Sequence, residues 1–291
     1  MIPSFAVPPK GFGPGSMTQD SEEDLQYLAM PSGVSVYTPH LPELDDVNAA
    51  RPAIAFLEAL RDTMAQWREG QSVMIRPDGL NPANRRIVDD ALGEGEVSIV
   101  LEDAAGRIEV QETVFAGLWA MRAFSRTAAA GAEPREQVEV AAFPHVVLAR
   151  AFPAVRAVPD LAASAGEGVV NAPAILTELL DKSATWQAGA VPHVVNLSLL
   201  PHTPEDLDMI EHVLGQGTLT ILSRGYGNCR ITSTATPHVW RVRYFNSMDT
   251  LILDTIEVTG IPEVACAARE DLADSAERLG EICTIIAEPA P

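Results

Sequence analysis

The densest chemistry in the chain is Ser223-Arg-Gly-Tyr-Gly-Asn-Cys-Arg230. Its glycines admit backbone conformations that other residues resist, so the segment can approach a ligand or peptide closely. Arg224 and Arg230 stand out in a chain with 40 acidic and 20 basic residues. Cys229 is either a small buried strand residue or a soft ligand or redox thiol. Gly225 to Asn228 also reads as a simple hairpin turn. A second polar segment follows at Tyr244-Phe-Asn-Ser-Met-Asp249. Asn246, Ser247 and Asp249 either close a turn on their own backbone or join the Ser223 loop as one recognition patch.

Catalysis finds little support. The chain has no GxSxG, no P-loop, no GxGxxG after a strand and no HExxH. Gly225-Tyr-Gly227 is too short to cradle a phosphate. His193, His202, His212 and His238 offer a metal site with Cys229 in principle, but no pair has a standard ligand spacing. They read as surface or capping histidines. Glu109 and Glu112 flank a strand without an evident partner and read as a solvated face. No enzyme and no cofactor are expected.

The formal charge of -20 repels phosphate backbones, so nucleic acid is an unfavourable partner. It suits a basic partner segment or serves solubility. Three cysteines (Cys229, Cys266, Cys283) form no CxxC, which argues against a disulfide framework and for a reducing compartment. The N-terminus lacks the pattern of a signal peptide, and no apolar run reaches the roughly 18 residues that span a bilayer. A cytoplasmic, non-membrane protein is expected.

These residues must be placed by a scaffold, and the scaffold repeats. Leu92-Gly-Glu-Gly-Glu-Val-Ser-Ile99 matches Leu214-Gly-Gln-Gly-Thr-Leu-Thr-Ile221 at an offset of 122. Trp67 matches Trp186, Pro82 matches Pro204, Arg107-Ile108 matches Arg230-Ile231, and Trp119 matches Trp240. Val138-Glu-Val140 with Pro144 matches Ile256-Glu-Val258 with Pro262. Two copies indicate a duplicated unit with possible pseudo-twofold symmetry rather than a solenoid.

Each copy opens with a helix (52–67, 172–186) and a short strand (72–75, 193–199). A second helix starts at a proline and ends at Leu-Gly-x-Gly (82–92, 204–214), with Thr203 and Asp206 placed as its cap in the second copy. Strands at 218–222, 230–234, 239–245 and 251–258 form an antiparallel meander. A helix from Pro262 to about Ile285 closes the unit. The expected fold is α+β, two tandem diverged copies of helix–strand–helix–antiparallel meander–helix. Residues 1–47 read as a mostly disordered tail, 48–157 as the first repeat, 158–170 as a linker, 171–286 as the second repeat and 287–291 as a tail. Within the first tail, Met30-Pro-Ser-Gly33 is a candidate docking stretch.

Several of these segments together resemble the hydrogenase expression/formation family of HupH/HyaF type. They are Val195-Asn-Leu-Ser-Leu199, Thr220 to Ile231, Val239-Trp-Arg-Val-Arg-Tyr-Phe-Asn-Ser-Met-Asp249 and Leu251 to Val258. Leu92-Gly-Glu-Gly-Glu-Val97 and Phe115-Ala-Gly-Leu-Trp119 add to the likeness, as does Met30-Pro-Ser-Gly33. The resemblance implies an accessory protein in maturation of an uptake [NiFe]-hydrogenase. It implies two partners: the precursor of the small, iron–sulfur subunit with its twin-arginine signal peptide, and a thioredoxin-like chaperone. The expected partner-binding residues are Ser223, Arg224, Gly225, Tyr226, Gly227, Asn228, Cys229, Arg230, Asn246, Ser247 and Asp249. The alternatives are a metal- or redox-active assembly factor using Cys229, and a structural adaptor between maturation proteins.

Overall fold

The computed structural model describes residues 47–129, 131–152, 160–224 and 228–287. Met30 to Gly33, and Gly225, Tyr226 and Gly227 of the loop, lie outside the described residues. The first copy comprises α1 (Val47–Ala65), β1 (Val73–Ile75), α2 (Pro82–Leu92), β2 (Val97–Asp103), β3 (Gly106–Glu112), β4 (Leu118–Ser125), β5 (Arg135–Val140) and α3 (His145–Leu148). After α4 (Leu161–Ser164) the second copy follows. It comprises α5 (Ala172–Ala184), β6 (His193–Asn196), α6 (Pro204–Leu214), β7 (Gln216–Ser223), β8 (Asn228–Thr234), β9 (Val239–Phe245), β10 (Leu251–Val258) and α7 (Arg269–Ala287).

The ten strands form a single antiparallel sheet in the order β1-β5-β4-β3-β2-β7-β8-β9-β10-β6. Each copy contributes one half, and the halves join where β2 pairs with β7. An edge strand exposes a row of unsatisfied N–H and C=O groups, and this join removes two such edges. The register is symmetric. Ile99 sits opposite Ile221, its own counterpart, while Val97 opposite Ser223 mirrors Leu101 opposite Leu219. The pseudo-twofold axis therefore passes between Ile99 and Ile221.

Helices cover one face of the sheet. In the first half Leu57, Leu60, Val88 and Leu118 pack together, and in the second Leu176, Leu179, Met209 and Val239 do so. The helix starts are set locally. Asn81 accepts from the Asn84 N–H, and Thr203 with Asp206 forms a reciprocal capping box. Buried Asn84 and Asp206 are counterparts, and each accepts an N–H from the first helix of its own copy, Ala53 and Ala172. Past each second helix, Gly93 and Gly215 have φ of 55° and 67°.

On the other face, strand residues such as Ile99, Ile221, Trp119 and Trp240 lie under two short segments, one containing Phe143 and Val147, the other Ala265. Both tryptophans are fully buried, and their indole N–H groups donate to equivalent carbonyls, Ala141 at 2.9 Å and Thr259 at 3.1 Å.

Two expectations about the unit change. The closing helix begins at Arg269, because Glu263–Ala265 forms a separate 3-10 turn after Pro262. Among the described residues, the corresponding segment of the first copy holds only the four-residue α3. Helix α7 instead crosses to the first half, where Leu272, Leu279 and Ile282 join the α1 cluster. Gly117 accommodates this crossing. Its φ is 79°, and a Cβ there would lie 2.4 Å from Leu272 Cγ.

Candidate functional site

The Ser223 segment is the β7–β8 tip. Ser223 and Cys229 form its last strand pair, and the Arg224 N–H donates to the Glu96 carbonyl at the entry of β2. Strand alternation splits the expected residues between faces. Ser223 and Cys229 are buried on the side away from the helices. Arg230 points to the helix side, exposed, with its guanidinium 5.7 Å from the Phe245 ring centre. The register also corrects the alignment of the copies. Leu101 opposite Ile108 corresponds to Ser223 opposite Cys229, so Cys229, not Ile231, is the counterpart of Ile108.

The β9–β10 connection lies beside this tip. Asn228 pairs with Phe245, and its side-chain amide donates to Asp249 Oδ1 at 3.4 Å. Asn246 Oδ1 accepts from the N–H groups of Met248 and Thr250, each at 2.9 Å. Asp249 adopts φ 56°, which its short polar side chain tolerates. Asn246 and Asp249 thus build a self-bonded turn, and that turn abuts the loop. The structure shows the first of the two readings, a turn closed on its own backbone, with Asn228 of the tip beside it.

Sequence reasoning missed the apolar residues around the turn. Met248 is 81% exposed, Ile252 60% and Leu199 80%, with Leu200 and Leu251 also exposed. Leu199 ends the 3-10 turn after β6, and Ser198 Oγ there accepts the Asp254 N–H of β10, so these side chains share one end of the sheet. The signal was Leu251-Ile-Leu253 at the mouth of an edge-proximal strand, where alternation cannot bury every residue.

The thiols have the character of core residues. Burial pushes Cys229 up to about 11, despite a hydrogen bond with Tyr244. Cys266 and Cys283 are pushed by burial to about 12 and 11. The histidines do not converge on Cys229. His193 lies 2.8 Å from Glu178, and His238 stacks on the Trp186 indole with centroids 3.7 Å apart. Among the described residues no group of His, Cys, Asp and Glu has the arrangement to hold a metal ion. The reading of Glu112 as solvated is corrected. Burial, with Glu96 and Asp271 nearby, raises it to about 7 despite the Gly117 N–H it accepts. Glu109 is engaged by Arg107 at 2.9 Å.

Twin cavities lie between the second helix of each copy and the sheet. One, of about 450 Å³, lies between α2 and β2–β5; the other, of about 590 Å³, lies between α6 and β7–β10. Arg241 and Arg243 line the second cavity. Their spacing in Trp240-Arg-Val-Arg243 places both on one face of a strand, a signal present in the sequence and not used.

Residues 48–165 and 169–286 each match the family described as HupH hydrogenase expression protein, C-terminal conserved region. The chain belongs to this family. It is 47% identical to the hydrogenase expression/formation protein HupH of Rhodobacter capsulatus, over 98% of this chain and 100% of that protein. It is 46% identical to HoxQ of Azotobacter vinelandii, over 97% and 98%. It is 30% identical to the hydrogenase-1 operon protein HyaF of Escherichia coli, over 96% of each. A solved hydrogenase expression protein HupH from Thiobacillus denitrificans shares 28% identity with a TM-score of 0.36, covering 38% of this chain and 92% of that one. The two matched regions coincide with the two halves of the sheet. Among the described residues no helix is long and apolar enough to cross a membrane.

Proposed function

We propose that this chain is a non-enzymatic accessory protein of hydrogenase maturation, which holds the precursor of the iron–sulfur small subunit at the end of the sheet formed by the β7–β8 tip and the β9–β10 turn. The observation that carries this reading is the cluster of exposed apolar side chains around Asn246 to Asp249, on the copy whose β7–β8 tip departs in sequence from its counterpart, the β2–β3 tip. Large exposed apolar groups rimmed by polar ones mark protein-binding surfaces. The relatives are named as hydrogenase expression or formation proteins. Arg224, Asn228, Arg230, Ser247 and Asp249 form the polar rim, while Ser223 and Cys229 support it from beneath. A redox or metal role for Cys229 is disfavoured by the buried, protonated state of its thiol.

The test is co-expression with a tagged small-subunit precursor, with and without its signal peptide. The parent chain co-purifies, and Met248→Asp combined with Ile252→Asp weakens association by about tenfold or more, the loss of a central apolar anchor. Failure of the parent chain to associate with either precursor form overturns the reading.

A further inference from the structure

The pseudo-twofold axis makes each half of the sheet a control for the other. One row of side chains crosses the helix-facing side of each half. In the first half it runs Val100, Glu109, Arg122, Glu136, each directly opposite the next across adjacent strands. In the second half the corresponding row runs Leu222, Arg230, Arg243, Asp254. The charges alternate in the first row, and each of its three charged members is engaged. Glu109 meets Arg107, and Glu136 lies 3.7 Å from Arg122 while also contacting Arg85 of α2.

In the second row an arginine replaces the glutamate. Arg230 and Arg243 are direct cross-strand neighbours, an arrangement that repels. The remaining acid is withdrawn from them. Asp254 is held by Arg241 through two bonds of 3.0 and 2.7 Å, and Arg241 also contacts Glu211 of α6. Arg241 occupies the place of Ala120 in the first copy. Neither Arg230 nor Arg243 makes an ion pair among the described residues. Arg243 lines the second cavity, and its buried Nε has no hydrogen-bond partner. Burial, then the neighbouring Arg241, depresses its pKa from the ordinary arginine value, yet a guanidinium remains charged.

We propose that Arg230 and Arg243 form a carboxylate-binding site on the helix-facing side of the sheet, which takes an aspartate or glutamate side chain of a bound polypeptide. A carboxylate has the planar, two-oxygen geometry that guanidinium groups bind bidentately. The site is part of an open floor, flanked by exposed Leu222 and by Phe245, and so suits a side chain arriving on a polypeptide with apolar neighbours. The choice of a polypeptide as the carrier rests on the function proposed above; the arginine pair itself does not.

The experiment titrates the full chain with a labelled decapeptide, blocked at both ends, containing two glutamates among leucines, and with its glutamine analogue. Anisotropy gives affinity, and the Nε–H resonances of the arginines report the site. The glutamate peptide binds about tenfold tighter than the analogue. That preference disappears in Arg243→Gln and in Thr232→Glu. The second variant keeps both arginines and places a carboxylate two residues along the strand from Arg230, as Glu109 stands from Arg107, and opposite Arg241, which Asp254 and Glu211 already hold. Thr232→Glu also melts higher than the parent. Equal affinities for the two peptides, no binding of either, or an unchanged preference in both variants overturns the site. Millimolar inorganic phosphate that shifts the same resonances while the peptides do not overturns the polypeptide source. Precursor association without a glutamate preference sinks this site and leaves the proposed function intact; the reverse result sinks the function and leaves the site.

Discussion

Leu279→Ala tests whether the duplicated halves are one folding unit. Leu279 belongs by sequence to the second copy but is fully buried in the cluster built around α1 of the first. Truncation removes three carbons from a cluster that also holds Leu57 and Leu60 of α1 and Ile282 of α7, and that cannot collapse without moving both helices. A buried Leu→Ala change of this kind costs about 3 kcal/mol. For a unit of this size that is roughly 6–12 °C in melting temperature. Calorimetry should show one cooperative transition displaced as a whole. Amide exchange should show lost protection in α1 as well as α7, although α1 is more than 200 residues away in sequence. Two transitions, with only the one assigned to the second copy displaced, would refute the reasoning.

Asp206→Ala should be more damaging than Asp206→Asn. The carboxylate accepts the N–H groups of Val170, Asn171, Ala172 and Thr203 at 2.8–3.0 Å, and alanine strands all four, a loss of about 3 kcal/mol or more in urea unfolding. Asparagine keeps an oxygen for three of them, as Asn84 does for Ala53 in the first copy. Burial alone would raise the Asp206 pKa, but these donors reverse it and hold the carboxyl well below the usual range. Its stabilisation is therefore present above pH 4 and is lost as pH falls toward the depressed native value. Glu112 has the opposite sign. Its pKa rises from 4.5 unfolded to about 7 folded, so its stabilisation is complete below pH 4.5 and gone above pH 7. Glu112→Gln should leave stability at pH 4 nearly unchanged and raise it at pH 8 by at most about 3 kcal/mol in urea titrations. Gly117→Ala should lower the melting temperature by several degrees, since both its φ and Leu272 oppose a Cβ.

Much of the scaffold was legible because it is local. The Leu-Gly-x-Gly helix ends, the prolines opening α2 and α6, and the Thr203 cap each need only neighbouring residues. The meander strands followed from short connections and β-branched content. Long-range choices were not legible. Periodicity marks β2 and β7 as strands but cannot say that two edges from different copies pair. Nothing in α7 states that its apolar stripe covers the other half rather than its own. The matched pair Arg107-Ile108 and Arg230-Ile231 misled by identity of letters, since register is set by pairing and the second tip is one residue shorter. Cys229 stayed open in sequence between a buried strand residue and a reactive thiol, because a lone cysteine carries no mark of the face it will occupy.

Divergence between the halves is concentrated where the first copy is closed. At its β2–β3 tip, Asp103 accepts the Ala105 and Gly106 N–H groups and takes the Arg150 guanidinium through two bonds of 2.8 and 2.6 Å. That arginine bond, against some burial, holds the Asp103 carboxyl below its ordinary range. Its polar groups are spoken for within the fold. The symmetric place in the second copy exchanges this closure for the Ser223 loop, adds an arginine where the row had a glutamate, and surrounds the adjacent turn with exposed Met248, Leu251 and Ile252. Among the described residues the added arginine and these apolar side chains stand uncompensated, at a cost to stability that the first copy avoids on the same backbone. Symmetry thus separates what the sheet requires from what a partner requires. Under the function proposed above, the second requirement falls on the end of the sheet carried by β7, β8, β9 and β10.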